Sequence, residues 1–188
     1  MAGRQKSIME AGIKSVQIAP AHNAKLCSVL EDLHPVVRKA LYLSSAYSPW
    51  PIPLRVLLDM QLKLGLRISE VLRIRGVDLF SMDKVRIRAS KRGRDRLVNY
   101  IDSYGYLKLC RSTGMIPFSD YDRFFIYRLY RKEGLMLFHE KDKKYSVTHA
   151  FRHLLVQELT KGIEDSSLMG DFIGHRFPDS IKSYLPRK

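Results

Sequence analysis

His149 and Arg152 stand three residues apart, His175 follows His149 by 26 positions, and Tyr184 follows His175 by nine. Two imidazoles, a guanidinium and a phenol in one C-terminal stretch suit phosphoryl transfer. The guanidinium grips a phosphate through its bidentate fork and an imidazole adds a hydrogen bond. On a helix, His149 and Arg152 share one face. A phenol attacks phosphorus only with help from a base or a strong positive field, because its ordinary pKa of about 10 keeps it protonated at neutral pH. A terminal tyrosine can otherwise simply anchor the last helix by its ring. His149 and His153 are four apart, but this is not a zinc motif of the HExxH kind. Ala150 stands where that motif needs a glutamate, and Arg152 would put a cation beside the metal.

Two residues upstream have matching chemistry. Arg67 lies in LGLRISEVL, at the start of a helix whose free N–H groups also favour anions; its plainer role is an ion pair with Glu70. Lys91 lies in SKRGRDR among Arg92, Arg94 and Arg96. A turn lysine is either solvated or, at a hairpin tip entering a DNA groove, able to give a proton to a leaving oxygen.

The chain supplies these residues with excess positive charge. It carries 33 Lys+Arg against 19 Asp+Glu, a net charge of +14, while 45% of residues are apolar. That describes a folded basic protein attracted to phosphate backbones, not a disordered tail. Cys27 and Cys110 form no CxxC pair or Cys/His cluster, so neither a disulfide framework nor structural zinc is expected. No secretory signal and no run of about 18 apolar residues occurs. The expected setting is reducing and cytoplasmic, with no membrane partner.

The elements that must position these residues can be read in order. Residues 1–18 read as a flexible basic arm and 19–188 as one domain. Leu26, Val29, Leu30 and Leu33 recur at helical spacing, and Pro35 opens a second helix reaching about Ser45. Leu54, Leu57, Leu58 and Leu62 make a core stripe that ends at Gly65, and Ile68, Val71 and Leu72 begin another. Val85 to Ala89 and Leu97 to Ile101 flank a Gly-centred turn and predict a hairpin. A helix carrying Phe124, Tyr127 and Leu129 closes at Gly134, and Met136 to Phe138 add a strand. Further helices fit Val147 to Lys161, Ser167 to Ile173, and Ser180 onward. The expected fold is mainly α with a small antiparallel β-sheet.

In order, Arg67, Lys91, His149, Arg152, His175 and Tyr184 resemble the landmarks of the tyrosine recombinase, or phage integrase, family. GLRISE is similar to its first box, SKRGRDRLV to its hairpin lysine segment, THAFRH to its H-x-x-R box, IGH to its His/Trp position, and SIKSYL to the segment bearing the nucleophile. Phe151 replaces the commoner leucine of the H-x-x-R box. The resemblance implies a catalytic domain of the DNA breaking-rejoining fold; with only 66 residues ahead of Arg67, the expectation is either a fragment or a protein without the family's separate N-terminal core-binding domain. It implies a site-specific recombinase or integrase that cleaves and rejoins double-stranded DNA through a 3′-phosphotyrosyl intermediate. Arg67, Lys91, His149, Arg152, His175 and Tyr184 would be its catalytic residues, with no cofactor, metal ion or ATP. Arginines 86, 88, 92, 94 and 96 are expected on the DNA backbone, and Glu70 is expected to orient Arg67 or a histidine. Partners would be DNA and a homo-oligomer, a tetramer on DNA, or an accessory DNA-binding protein, in a nucleoid-associated, prokaryotic or phage-encoded setting. Two alternatives share the fold: DNA relaxation of the type IB topoisomerase kind, and a catalytically silent DNA-binding regulator.

Overall fold

The computed structural model describes residues 15–16, 34–81, 83–89, 95–139, 144–147 and 149–160. The elements are β1 (Ser15–Val16), α1 (Pro35–Ser44), α2 (Ile52–Leu64), α3 (Ile68–Val71), a 3-10 turn (Gly76–Asp78), β2 (Lys84–Ile87), β3 (Arg96–Asn99), α4 (Tyr106–Thr113), α5 (Arg123–Lys132), β4 (Leu137–His139), β5 (Lys144–Ser146) and α6 (Ala150–Thr160). The expected helices over 23–33, 167–173 and 180–188 lie outside the described residues, as do Lys91, His175 and Tyr184.

The core forms around α2. Leu54, Val56, Leu57, Leu58, Met60, Leu62 and Leu64 are all buried, so this helix is enclosed on every side and not on one stripe alone. Burying each such side chain contributes about 1.5–3 kcal/mol. Enclosure also buries two polar residues of α2, and each has partners, as burial without them would be costly. Asp59 accepts from Lys63 Nζ at 2.9 Å and from the Tyr100 hydroxyl at 2.8 Å. Burial, and then the Asp59 carboxylate, hold the Tyr100 phenol well above its usual range, so it stays a donor. Gln61 accepts from the Tyr130 hydroxyl at 2.6 Å and donates to the Leu66 carbonyl at 3.1 Å.

The helices begin and end on local signals. Pro35 occupies the first turn of α1, where its missing N–H costs nothing, and His34 Nδ1 accepts from Val36 N–H at 3.2 Å. Gly65 ends α2 at φ 59, ψ 29, a left-handed conformation that a Cβ disfavours. Asp122 caps α5 by accepting from Phe125 N–H at 2.6 Å.

The expected hairpin is present, with Lys84 opposite Asn99 and Ile87 opposite Arg96. The sheets are richer than the single small antiparallel one expected. Ser15–Val16, within the stretch read as a flexible arm, pair in parallel with Leu97–Val98 and make the first sheet three-stranded and mixed. Leu137–His139 finds a partner in Lys144–Ser146, and this second antiparallel hairpin sets Phe138 against Tyr145 with ring centroids 4.9 Å apart.

The helices differ from expectation in detail. Helix α4 was not anticipated; Gly105 and Gly114, both left-handed, bracket it, and Leu107 and Cys110 face inward. Helix α5 buries Ile126 and Tyr130 and leaves Phe124 72% exposed. The i, i+4 pair Ile126 and Tyr130 meets the core, and Tyr130 stacks on Trp50 and meets Phe151 edge-on, with centroids 6.2 and 6.1 Å away. The last described helix starts at Ala150 and not at Val147, because β5 runs to Ser146 and Val147 is a buried bend between them. Among the described residues no helix is long and apolar enough to cross a membrane.

Candidate active site at the Gly65 turn

The turn between α2 and α3 gathers the charge. After Gly65 the chain runs extended through Arg67, at φ -70 and ψ 147, and re-enters a helix at Ile68. Arg67 occupies the N-cap position but has no acceptor to cap with. Glu70, three residues on, compensates: its Oε2 accepts from the Arg67 backbone N–H at 2.9 Å and its Oε1 from Arg67 Nη1 at 3.1 Å.

The Glu70 side chain is 1% exposed and meets three guanidinium groups. Arg96 from β3 puts Nη1 on Oε1 at 3.4 Å and Nη2 on Oε2 at 3.3 Å. Arg152 from α6 brings Nη1 within 3.7 Å of Oε2 and donates from the same nitrogen to the Gly65 carbonyl at 3.0 Å. Burial alone would raise the Glu70 pKa. Arg96, then Arg152, and the Arg67 N–H outweigh it and hold the carboxyl below its usual range. An ionised, enclosed carboxylate therefore organises the cluster, and the guanidinium groups exceed it by two positive charges.

His149 stands immediately ahead of α6 and is half-buried. Desolvation, then Arg67, Arg152 and Arg123, push its pKa down to about 4, while Glu70 opposes them weakly. The ring is thus neutral at physiological pH. Its Nδ1 is buried and makes no hydrogen bond among the described residues. Such a ring accepts a proton or a hydrogen bond; it is not a fixed cation.

Three of the six sequence-derived candidates, Arg67, His149 and Arg152, meet here from segments about eighty residues apart in the chain. Lys91, His175 and Tyr184 lie outside the described residues. The Arg67 side chain is 22% exposed, whereas Arg152 is 0% exposed. Arg67 already offers N–H groups to an anion, and direct contact by Arg152 would require it to be uncovered.

Arg96 corrects an expectation. It is not on the outer face with Arg86 and Arg88, since its side chain is 3% exposed and committed to Glu70. A signal existed: the alternation of Val98 and Tyr100 inward, extended two residues back, lands on Arg96. A cation at an inward strand position demands a buried acid. Arg86 and Arg88 instead pair with Asp95 at 2.7 Å and Asp78 at 2.8 Å. Sequence reading also missed the polar support beneath the site. Tyr130 holds Gln61, and Gln61 holds the Leu66 carbonyl next to Arg67. Among the described residues, no group of three or more His, Cys, Asp or Glu side chains is placed to hold a metal ion.

No family model matches the chain, and no curated protein matches its sequence. Its fold is similar to the crystal structure of XerA recombinase, with a TM-score of 0.52 at 15% identity over 95% of this chain. The chain spans 62% of the length of that protein chain.

Proposed function

We propose that this chain is a DNA strand transferase of the tyrosine recombinase type, cutting and rejoining double-stranded DNA at a specific site. The observation that carries the reading is the convergence of Arg67, His149 and Arg152 around one ionised carboxylate at the Gly65 turn. The likeness of fold to XerA recombinase supports it. In this reading the Tyr184 oxygen attacks a phosphodiester in line, a 3′-phosphotyrosyl bond forms, and the bond to the 5′ oxygen breaks. Lys91 gives that oxygen its proton. Arg67, and Arg152 once uncovered, bind the non-bridging oxygens as charge builds, and His175 adds a hydrogen bond. A preorganised donor of this kind contributes about 3 kcal/mol to the transition state. His149 takes the phenol proton, but a pKa of about 4 makes it a weak base. The phenol's ionisation then depends mainly on the positive field of the arginines.

A suicide-substrate assay tests this. Wild type and Tyr184→Phe are incubated with a pool of nicked duplexes that trap a covalent intermediate, and the products are run on denaturing gels. An adduct with wild type that is lost in the variant is expected; an adduct that persists in the variant removes Tyr184 from its role. The enclosure of Arg152 favours a second reading, a DNA-binding regulator that keeps the fold without the chemistry. DNA binding with no adduct from either protein would select it.

A further inference from the structure

We infer that Arg96 is a positioning residue of this site: its fork on the Glu70 carboxylate fixes the base of the β2–β3 hairpin against the Gly65 turn and sets where the Arg67 guanidinium lies. The inference rests on the proposed phosphoryl transfer for what that guanidinium acts on.

Four observations carry it. Arg96 is enclosed, with its side chain 3% exposed, and is turned to Glu70 and not to the surface. Its two terminal nitrogens address both Glu70 oxygens, and the same two oxygens hold the Arg67 N–H and Nη1. Helix α3 is only four residues long and is too short to fix the carboxylate by its own hydrogen bonding. Arg96 also opens β3 opposite Ile87, and Lys91 precedes it by five residues in the sequence. Without Arg96, Glu70 would keep Arg67 and the more distant Arg152, with His149 beyond them, but no partner from the sheet among the described residues.

The experiment measures adduct formation with the nicked-duplex pool at saturating DNA, together with duplex affinity, for wild type, Arg96→Met and Arg96→Lys. A misplacement of about 1 Å in a catalytic group can cost a hundredfold in rate, so Arg96→Met should slow the adduct about 10- to 100-fold. Duplex affinity should stay within about twofold, because an enclosed side chain contributes no ground-state contact. Arg96→Lys keeps the charge but not the fork and should recover only part of the rate. A folded Arg96→Met protein that reacts at the wild-type rate would overturn the inference, as would a parallel loss of rate and affinity. If Arg96→Met does not fold, Arg96→Lys decides: slowed cleavage at unchanged affinity supports the inference, and a wild-type rate overturns it. If wild type forms no adduct, the strand-transfer reading fails by itself. The Glu70 carboxyl titration then decides for Arg96, followed by 13C NMR and assigned by its loss in Glu70→Gln. A midpoint higher in the folded Arg96 variant than in wild type supports the positioning role, and an unchanged midpoint overturns it.

Discussion

Arg86 and Arg96 sit one rung apart on the same antiparallel ladder, and their surroundings differ completely. Arg96 faces inward with Ile87 and Val98, and its charge is committed to an enclosed carboxylate. Arg86 faces outward, its side chain about a third exposed, and meets an Asp95 that is also partly exposed. The difference lies in the cost of desolvation. An exposed pair contributes little because water and salt screen it. An enclosed pair is strongly coupled, because removing one partner leaves the other charge without compensation. A basic protein thus places one residue type in two settings: an inner arginine holds an enclosed carboxylate, and the outer ones pair nearer the surface.

The largest effect should follow removal of the shared carboxylate. Glu70→Gln removes the enclosed carboxylate that Arg67, Arg96 and Arg152 share and should cost about 3–5 kcal/mol in guanidinium unfolding. A cost near that of a surface pair would make the inner and outer regions equivalent. Glu70 has a depressed folded-state pKa, so its stabilisation is present above the unfolded value near 4.5 and is lost as pH falls through the folded value. Glu70→Gln should flatten that acid limb.

Next in size is the turn that brings Arg152 its acceptor. Gly65→Ala forces a Cβ into a left-handed conformation at φ 59 and should destabilise by about 1–2 kcal/mol. Adduct formation should fall as well, since the Gly65 carbonyl holds Arg152; an unchanged Tm would show that the turn relaxes freely.

His149 should show in the pH dependence of stability. Its folded pKa of about 4 lies below its ordinary 6.5, so the unfolded chain binds the proton first and stability falls as pH drops through that window. Solvent at the half-buried ring screens part of this, leaving on the order of 1–2 kcal/mol. In His149→Gln the slope between those values should largely vanish, and a slope as steep as in wild type would contradict a neutral ring.

The smallest effect belongs to the outer pair. Arg86→Gln should change stability by less than about 1 kcal/mol and, on the proposed DNA binding, should lower its salt slope by about 1, as loss of one phosphate contact would. Arg96→Met should leave that slope alone. Equal slopes for both variants would erase the distinction between the regions.

Much of the frame is legible in the sequence because it rests on local rules. Leu54, Leu57, Leu58 and Leu62 recur at helical spacing, Gly65 stops the helix that they define, and the alternation of Val85 and Ile87 marks a strand. Arg67 next to Glu70, and His149 three residues before Arg152, were visible as spacings. Helix α5 was legible as a helix but not in its orientation. Phe124 and Tyr130 are both aromatic, and only packing against Trp50 and Phe151 decides which turns inward.

The sequence by itself determined the charge, the helical and strand periods, and the residue types available for phosphoryl transfer, since each depends only on composition or on neighbours within a few residues. Only the tertiary structure decided that Glu70 is shared by Arg67, Arg96 and Arg152, that Gln61 braces the turn from Tyr130, and that Arg152 is enclosed while Arg67 is not. Those facts turn on desolvation and on contacts between residues up to about eighty positions apart, which no local pattern encodes.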